Sequence, residues 1–407
     1  MRATYVAFAG AGFGFASWAS RIPQVKARLD LDPSQLGVVL LSLAAGSVIS
    51  LPLAGPIVAR FGSRRTVRVT GALGGAGLVV VAVGYRIGVA PVVAGLFCWG
   101  VASGTWDVAM NVQGAVVERL LGRSIMPRFH AGFSLGTVAA ALSGAAMVAL
   151  GVSVTVHLAI VGVIVGVAVP YAVRDFVPDS AEAVAPSREG SGAAGPGEHE
   201  PGRARDSLAA WREPRTLLVG LFVLAFAFSE GTGNDWISLA TIDSHHVAPA
   251  LGTLVFAVFL GAMTTARWFG PAALDRYGRV PVVRVLAALA IAGLVLFVFG
   301  PGMVLAFLGA LLWGTGTSLG FPVGMSAGAD EPAFAAPRVG VISTIGYCAF
   351  LGGPPLIGFL GQQSTVPHAL VAVIVVMLLA GAIAGSVRPP RVLTAPGRRA
   401  GVEQMSN

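Results

Sequence analysis

Long apolar stretches, separated by short polar or basic segments, follow one another along almost the whole chain. Each contains about twenty residues, the length that an α-helix needs to cross the hydrocarbon core of a bilayer. The pattern predicts twelve membrane-spanning helices. The predicted spans are 3–22, 34–59, 66–85, 91–113, 129–150, 154–173, 216–240, 249–269, 281–300, 302–328, 338–361 and 367–387. The first is too polar at its end for a cleaved signal peptide, so we expect it to remain as a helix.

One segment between the sixth and seventh spans has a different composition. It carries Pro, Gly, Ser, Glu and Arg with almost no large apolar side chain, and such a segment cannot bury enough surface to fold alone. We therefore interpret it as a linker between two halves. The predicted organisation is an N-terminal six-helix bundle at 1–174, a cytoplasmic disordered linker at 175–214, a C-terminal six-helix bundle at 215–388 and a cytoplasmic tail at 389–407.

The overall composition agrees with a membrane protein. The chain is 55% hydrophobic and only 11% charged, so lipid must be its main solvent. The net charge of +8 at first suggests nucleic acid. When loops are assigned alternately from a cytoplasmic N-terminus, however, only Arg21, Lys26, Arg28 and Arg86 lie outside the cell. This distribution follows the positive-inside rule, with both termini cytoplasmic. We therefore expect contacts with membrane lipids and none with nucleic acid.

Motifs for catalysis are missing from the sequence. There is no phosphate-binding loop, no nucleophile elbow and no dinucleotide fingerprint. The six histidines are scattered, and the two cysteines, Cys98 and Cys348, lie apart inside predicted spans, so no group has metal-ligand spacing. The sequence predicts a protein that is not an enzyme and that uses no metal and no cofactor.

A short motif occurs once in each half. The segment from Gly55 to Arg65 matches the segment from Gly270 to Arg279, with Arg60 aligned on Arg276 and Gly62 on Gly278. Each copy ends one apolar run and begins the next. A repeated loop at the same place in two halves indicates a duplicated membrane bundle.

These loops resemble the signature of the major facilitator superfamily, which lies between its second and third and its eighth and ninth helices. The resemblance covers the chain apart from the linker and tail. It implies an all-α integral membrane protein of twelve transmembrane helices in two pseudo-symmetric six-helix bundles, with the loops acting as a conformational latch. The first copy has Ala59 where the family has an acid. The implied latch residues are Gly55, Arg60, Gly62, Arg64, Asp275, Arg276, Gly278 and Arg279.

The fourth span points to one branch of that family. Gly104 to Asn111 resembles the Gly-x-x-Glu/Asp-x-Ala-x-Asn pattern of fucose-permease-like sugar:proton symporters and their poorly characterised bacterial inner-membrane relatives. The resemblance implies the cytoplasmic membrane of a bacterium. The symporters carry a second acid in the first helix, whereas here no acid precedes Arg21. We therefore do not expect this chain to use the complete proton-coupling scheme of those symporters. Arg267 resembles an arginine near the cytoplasmic end of the eighth helix in many members of the family. We expect Arg267 to have a structural role.

Acidic side chains inside predicted spans are the best functional candidates. Asp107 and Asn111 share one face of the fourth helix, and Glu230 and Asn234 share one face of the seventh. An ionisable group at this depth is costly unless it faces water, a partner or a proton. We predict Asp107 as the main proton-coupling residue, with Glu230 and Asp235 as auxiliaries. The alternatives are interhelical contacts for Asp107 and an interfacial helix end for Asp235.

Tryptophans in three spans complete the predicted solute site. Trp18, Trp106 and Trp236 lie in the first, fourth and seventh spans, which the superfamily places around its central cavity, and indole rings stack on sugar rings. Asn111 and Asn234 could bond hydroxyl groups. The alternative for each tryptophan is packing or a place in the interfacial belt. Arg21 could hold a carboxylate, pair with Asp235 or be a solvated anchor. The predicted substrate-binding residues are Trp18, Arg21, Trp106, Asn111, Asn234 and Trp236.

Together these features predict a secondary transporter that works by alternating access. We expect a monomer whose partners are protons, membrane lipids and a small-molecule solute, taken up with proton coupling and polar or sugar-like in character. One alternative is an exporter of drugs or secondary metabolites. Exporters usually have a Gly-Pro-rich kink in the fifth helix, and the run from Phe129 to Leu150 contains no proline. A second alternative is a membrane sensor or scaffold without transport, for which Asp107 and Glu230 would be an unexplained cost.

Overall fold

The structure is a computed structural model that describes residues 1–122, 125–179, 209–331 and 334–390. The described residues form helices, turns and irregular segments and contain no strand. The helices of the first half are α1 Arg2–Ala19, α2 Ile22–Arg28, α3 Pro33–Gly84, α4 Val89–Leu121, α5 Met126–Ala149 and α6 Val154–Ala172. Those of the second half are α7 Pro214–His245, α8 Pro249–Tyr277, α9 Arg279–Phe299, α10 Met303–Thr317, α11 Gly320–Gly328, α12 Ala335–Gln363, α13 Val366–Ala369 and α14 Val371–Ile383.

The predicted count of twelve membrane crossings is confirmed. Within the described part of the chain, ten helical segments are long and apolar enough to cross a bilayer, and α10 with α11 counts as one of them. The 52-residue helix α3 supplies two crossings because it breaks at Gly62. Helix α1, with 18 residues, completes the twelve. The fold is therefore all-α, with six crossings in each half.

The loop between the second and third predicted spans is shorter than the sequence indicates. Only Gly62 leaves the helical conformation inside α3, with φ 78° and ψ 157°. In the second half, Gly278 separates α8 from α9 with φ 79° and ψ 166°. Residues with a Cβ rarely adopt such a positive φ, so both positions favour glycine. The duplicated motif is therefore also a duplicated backbone turn.

Glycine pairs bring neighbouring helices of each bundle into backbone contact. A Cβ added to Gly77 would lie 2.9 Å from the carbonyl oxygen of Gly95, and one added to Gly293 would lie 2.6 Å from that of Gly309. The first pair joins the third and fourth crossings, and the second joins the ninth and tenth. In lipid, helices associate through such close approach rather than by hiding apolar surface. The repeat of this contact supports the pseudo-symmetry of the two bundles.

The two ends of the helix assembly differ in how closely the bundles meet. We call the end with the Gly62 and Gly278 turns the basic end and the other one the opposite end. At the opposite end, a Cβ on Gly37 of α3 would lie 2.6 Å from the Pro354 carbonyl oxygen of α12, and one on Gly358 would lie 2.5 Å from that of Pro33. Near the basic end, Gly55 and Gly340 on the same two helices have no such neighbour within 4 Å. The bundles are thus joined at the opposite end.

The predicted linker and tail fall mostly outside the described residues, which include only 175–179, 209–214 and 389–390 of them. Where the linker begins, the chain is docked on the first bundle. The Phe176 side chain is buried, and the carboxylate of Asp179 accepts hydrogen bonds from the Ser63 backbone N–H at 2.6 Å and from its hydroxyl at 2.5 Å. These first linker residues therefore form part of the folded structure.

Candidate functional site

A cavity of about 200 Å³ lies between the two bundles. Residues of α1 and α5 from the first half and of α7, α8 and α12 from the second half form its wall. A cavity of this size suits a small solute. The wall includes the apolar side chains Phe15, Phe133 and Phe350 and the polar side chains Ser134, Thr264 and Asn234.

An ion pair lies on the cavity wall. Arg267 of α8 donates from Nη2 to Oε2 of Glu230 on α7 at 2.7 Å, and from Nε to the Ser318 carbonyl oxygen at 3.0 Å. The two side chains remain 28% and 18% exposed. Glu230 therefore lies where the sequence predicts, while Arg267, expected to be structural, also faces the cavity. The ion pair joins α7 and α8 at the cavity wall.

Asp107 lies near the middle of α4, and its side chain is exposed. Asn111, one turn further on, donates from Nδ2 to the Asp107 backbone carbonyl oxygen at 2.8 Å and to its carboxylate at 3.3 Å. Asp107 also interacts electrostatically with Tyr347 of α12, a helix of the other bundle. The Tyr347 ring lies 6.2 Å from the ring of Phe350, which lines the cavity. Asp107 is thus exposed in the space between the bundles.

The other polar residues of the seventh span divide between two environments. Asn234 lines the cavity with Glu230, and its buried Oδ1 atom has no hydrogen-bond partner. Asp235 is partly buried, does not line this cavity and forms neither a hydrogen bond nor an ion pair within the described part of the chain. The helical face shared by Glu230 and Asn234 therefore reaches the solute space, and the adjacent acid points elsewhere. The proton-coupling role of all three acids stays a prediction.

The three tryptophans are packed inside the bundles. Trp18 is 1% exposed, and Trp106 and Trp236 are 0% exposed. The Trp106 ring lies beside Gly10 of α1, which supports packing within the first bundle. The indole N–H groups of Trp106 and Trp236 are buried without a partner. In this conformation none of the three rings lines the cavity, and their role as solute contacts stays a prediction.

Arg21 lies at the opposite end, between α1 and α2, with 2% exposure. Its Nε donates to Nδ1 of His157 on α6 at 2.8 Å, and its Nη2 has no partner. Neither the pairing with Asp235 nor the solvated anchor considered from the sequence is found at this position among the described residues. Arg21 instead joins α6 to the turn after α1, and its contact with a solute stays a prediction.

The two Gly/Arg turns make different contacts. In the first, Arg64 donates to the Phe176 carbonyl oxygen, Asp179 binds Ser63, and the Arg60 guanidinium lies 5.5 Å from the Phe61 ring centroid. The carboxylate of Asp179 thus reaches the turn whose own acid position is Ala59. This contact was not predictable from the motif, because Asp179 lies beyond α6.

In the second turn, Arg279 donates from Nη1 to Asp330 at 2.6 Å, and Asp330 also accepts from Arg215 at 2.7 Å. Arg276 lies 5.3 Å from the Tyr277 ring centroid. Asp275 is exposed and has no ion-pair partner in the described ranges. Among the predicted latch residues, Arg64 and Arg279 hold neighbouring segments, whereas Gly55 is exposed. The action of these turns as a latch stays a prediction.

Similar proteins agree with this architecture. The sequence profile described as Major Facilitator Superfamily matches residues 4–347. An uncharacterised MFS-type transporter of Yersinia pestis is 28% identical over 385 residues, which cover 94% of each chain. The crystal structure of the nucleoside transporter NupG superimposes with a TM-score of 0.72 at 15% identity, covering 95% of this chain and 98% of that one. The D-xylose-proton symporter superimposes with a TM-score of 0.70 at 11% identity, covering 95% of each.

The twelve crossings, the duplicated turn, the cavity between two bundles and a matching family profile over residues 4–347 agree with one another. The relative from Yersinia pestis, which is matched over 94% of its length, is an MFS-type transporter by its name. We conclude that this chain is a multi-pass membrane protein that belongs to the major facilitator superfamily of transporters.

Proposed function

We propose that the protein is a secondary active transporter that takes up a small polar solute together with protons by alternating access. The observation that carries this proposal is Asp107, an exposed carboxylate in the middle of a membrane-spanning helix, facing the space between the bundles. A carboxylate at that depth is costly, and a transporter gains from it a group that can carry a proton. The D-xylose-proton symporter, which shares the fold, is proton-coupled by its name.

In this proposal the basic end faces the cytoplasm of a bacterium. The exposed arginines of the Gly62 and Gly278 turns lie at this end, and short cytoplasmic loops are enriched in such residues. Both termini then lie inside the cell. The close contacts of Gly37 and Gly358 seal the extracellular side, so this conformation gives the cavity access to the cytoplasm. Transport requires a second conformation in which those contacts open.

The residues divide into two roles. Asp107 takes up and releases the proton, with Glu230 and Asp235 as auxiliary acids. Asn111 and Asn234 offer amide groups to the solute, and the buried Oδ1 of Asn234 needs a donor such as a hydroxyl group. Because the bundles are in close contact at the opposite end, a solute that enters the cavity reaches Asn234 from the basic end.

The test is proton-driven accumulation in proteoliposomes. A thermal-shift screen of the purified protein against sugars, sugar acids, amino acids and antibiotics first identifies a solute. We expect Asp107→Asn to reduce accumulation driven by an inward proton gradient at least ten-fold, while solute exchange without a gradient continues. Asp30→Asn is the matched control, because Asp30 is exposed at the opposite end and its positive φ of 50° is one that asparagine tolerates. Unchanged accumulation by Asp107→Asn would rule out the coupling role.

The same assays separate the two alternatives. An exporter lowers the intracellular concentration of its drug when the protein is overproduced, whereas uptake raises that of its solute. A sensor or scaffold binds a solute without any flux under any gradient. A proton-coupled uptake transporter moves its solute into the cell, and this solute flux increases with an inward proton gradient.

A further inference from the structure

The ion pair on the cavity wall leaves part of each group unused. Arg267 uses Nη2 for Glu230 and Nε for Ser318, and Glu230 uses only Oε2. Nη1 of Arg267 and Oε1 of Glu230 have no partner among the residues that the structure describes. A guanidinium binds a carboxylate best through two parallel N–H···O bonds, so this pair is incomplete. Its open edge can accept a second anionic group.

The side chains around the unpaired atoms of Arg267 and Glu230 indicate which other chemical groups a bound solute would carry. Asn234 lies one turn from Glu230, and its buried Oδ1 lacks a donor. The Thr137 and Thr264 hydroxyls donate to carbonyl oxygens of their own helices at 2.7 Å, so their oxygens can still accept hydrogen bonds. Phe15 lines the same cavity with an apolar ring. An occupant that satisfies this wall carries an anionic group, several hydroxyl groups and a flat or partly apolar face.

We propose that Arg267 binds the carboxylate of the transported solute, that this solute is a small hydroxylated carboxylic acid such as a sugar acid, and that Glu230 occupies Arg267 when no solute is bound. A neutral sugar could bond Asn234 but could not replace the Glu230 carboxylate on a guanidinium. The cavity of about 200 Å³ limits the solute to a small one. The inference rests on the proposed transport function and narrows its substrate class.

The charges around Arg267 determine how the site responds when the solute binds. The titratable groups that face Arg267 are Glu230 on α7 and His130 on α5. A second carboxylate beside Arg267 gives the group one excess negative charge, which a poorly solvated cavity opposes. A proton from the open side that binds Glu230 removes this charge. Its O–H bond forms as the contact with Arg267 breaks, while Arg267 keeps its charge. At this ion pair, the binding of one acid is therefore accompanied by the binding of one proton to Glu230.

The test is binding to the full-length purified protein in detergent, measured by titration calorimetry with D-glucuronate, D-gluconate and neutral D-glucose. Glu230→Gln removes the internal competitor, so we expect it to bind at least one of the two acids about ten-fold more tightly than the wild type. D-glucose binding should not change. The double variant Glu230→Gln/Arg267→Gln should lose the gain. Equal acid binding by wild type and Glu230→Gln, or a gain that survives in the double variant, would overturn the proposal.

Glu230→Asp is the second variant, for use if Glu230→Gln does not elute as a single folded species. Its shorter carboxylate withdraws from Arg267 but keeps the charge, so a smaller gain in acid binding is expected, and no gain overturns the proposal. The assay contains no gradient, so it does not depend on the coupling role proposed for Asp107. A gain in acid binding together with normal accumulation by Asp107→Asn would support Arg267 as the solute anchor and contradict the coupling role of Asp107. The reverse pair of results would contradict only the anchor.

Discussion

Acidic side chains in the described ranges differ in whether an arginine faces them. Glu230 contacts Arg267, and Glu213 contacts Arg338, whereas Asp107 and Asp235 have no such partner. A carboxylate that pairs with an arginine of another helix stabilises the contact between the two helices. This contact alone is enough to offset the cost of placing the carboxylate there. An unpaired carboxylate in a membrane-spanning helix has a cost that packing does not offset. This difference makes Asp107 and Asp235 the stronger candidates for proton binding in this conformation.

Glu213 gives a prediction about pH at the residue scale. Hydrogen bonding from Arg338, together with that from Thr216, holds the pKa of the Glu213 carboxyl below its usual value, although partial burial opposes this. Because the folded-state pKa is lowered, the contact stabilises the protein above the unfolded pKa. Its contribution is lost as the pH falls through the folded-state pKa. We expect Glu213→Gln to lower the free energy of unfolding by less than about 1 kcal/mol at pH 7 and by a smaller amount at pH 3.

The measurement is thermal unfolding of wild type and variant in detergent at both pH values. Asp30→Asn is the control, because this exposed acid has no partner among the described residues and should change neither curve. A difference between wild type and Glu213→Gln that is larger at pH 3 than at pH 7 would contradict the assignment of the contact.

Among the elements, α3 shows how the linker takes part in the fold. Its second arm begins at Ser63 after the Gly62 break, and Asp179 accepts the Ser63 N–H. The first backbone N–H groups of a helix have no partner within the helix, and a carboxylate there also interacts favourably with the helix dipole. Gln113 of α4 lies within 2.9 Å of the same Ser63 hydroxyl. A linker residue thus contacts the start of the second arm of α3, at the place where α4 also packs.

Removal of this carboxylate should destabilise the first bundle. We expect Asp179→Ala to lower the free energy of unfolding by about 1 kcal/mol, the usual cost of losing a helix cap. Urea titration of the detergent-solubilised protein measures it. Asp175→Ala is the matched control, because Asp175 lies in the same segment, is exposed and has no partner among the described residues. Equal effects of the two substitutions would show that the Asp179 contact does not stabilise the bundle.

At the same scale, the sequence predicts the crossings well and their ends less well. Apolar runs of about twenty residues are a direct requirement of the bilayer, so each predicted crossing exists. Helix α4 continues to Leu121, beyond the predicted end at 113, because polar residues that leave the hydrocarbon can remain helical in water. The sequence does not predict that the helix breaks at the single residue Gly62, because this is visible only in the backbone angles of the structure. The contact between Asp179 and Ser63 could not be predicted either, because no local sequence pattern connects two positions so far apart in the chain.

For the molecule as a whole, alternating access requires the opposite end to open and close. The contacts there depend on glycines in α3 and α12, where a side chain would meet backbone atoms. We expect Gly358→Leu to keep the ends apart and to reduce uptake in proteoliposomes at least ten-fold, while the protein remains folded and monodisperse. Gly352→Leu is the matched control, because Gly352 lies on the same helix with no heavy atom within 4 Å of its Cβ position. Normal uptake by Gly358→Leu would show that tight closure is unnecessary.

The whole-molecule view also explains which site residues the sequence could identify. Asp107, Glu230 and Asn234 stand out because polar side chains inside apolar spans are rare, and all three lie on the inner surface between the bundles. Arg267 was not identified as a cavity residue, because it lies close to a basic segment and resembles a structural arginine. The tryptophans are predicted from residue type alone, yet packing against small residues such as Gly10 encloses the ring of Trp106. Depth along a helix is readable from sequence, whereas the direction of a large side chain depends on its neighbours.

The backbone contacts of Gly77 with Gly95 and of Gly293 with Gly309 have a mechanical consequence. Helices that pack this closely cannot slide past each other without steric overlap. Each six-helix bundle should therefore move as a rigid body. Deformation then concentrates where the two bundles touch, along the contacts of α3 with α12 and of α5 with α8. The barrier to the change between the two conformations should therefore depend more on these contacts between the bundles than on contacts inside either bundle.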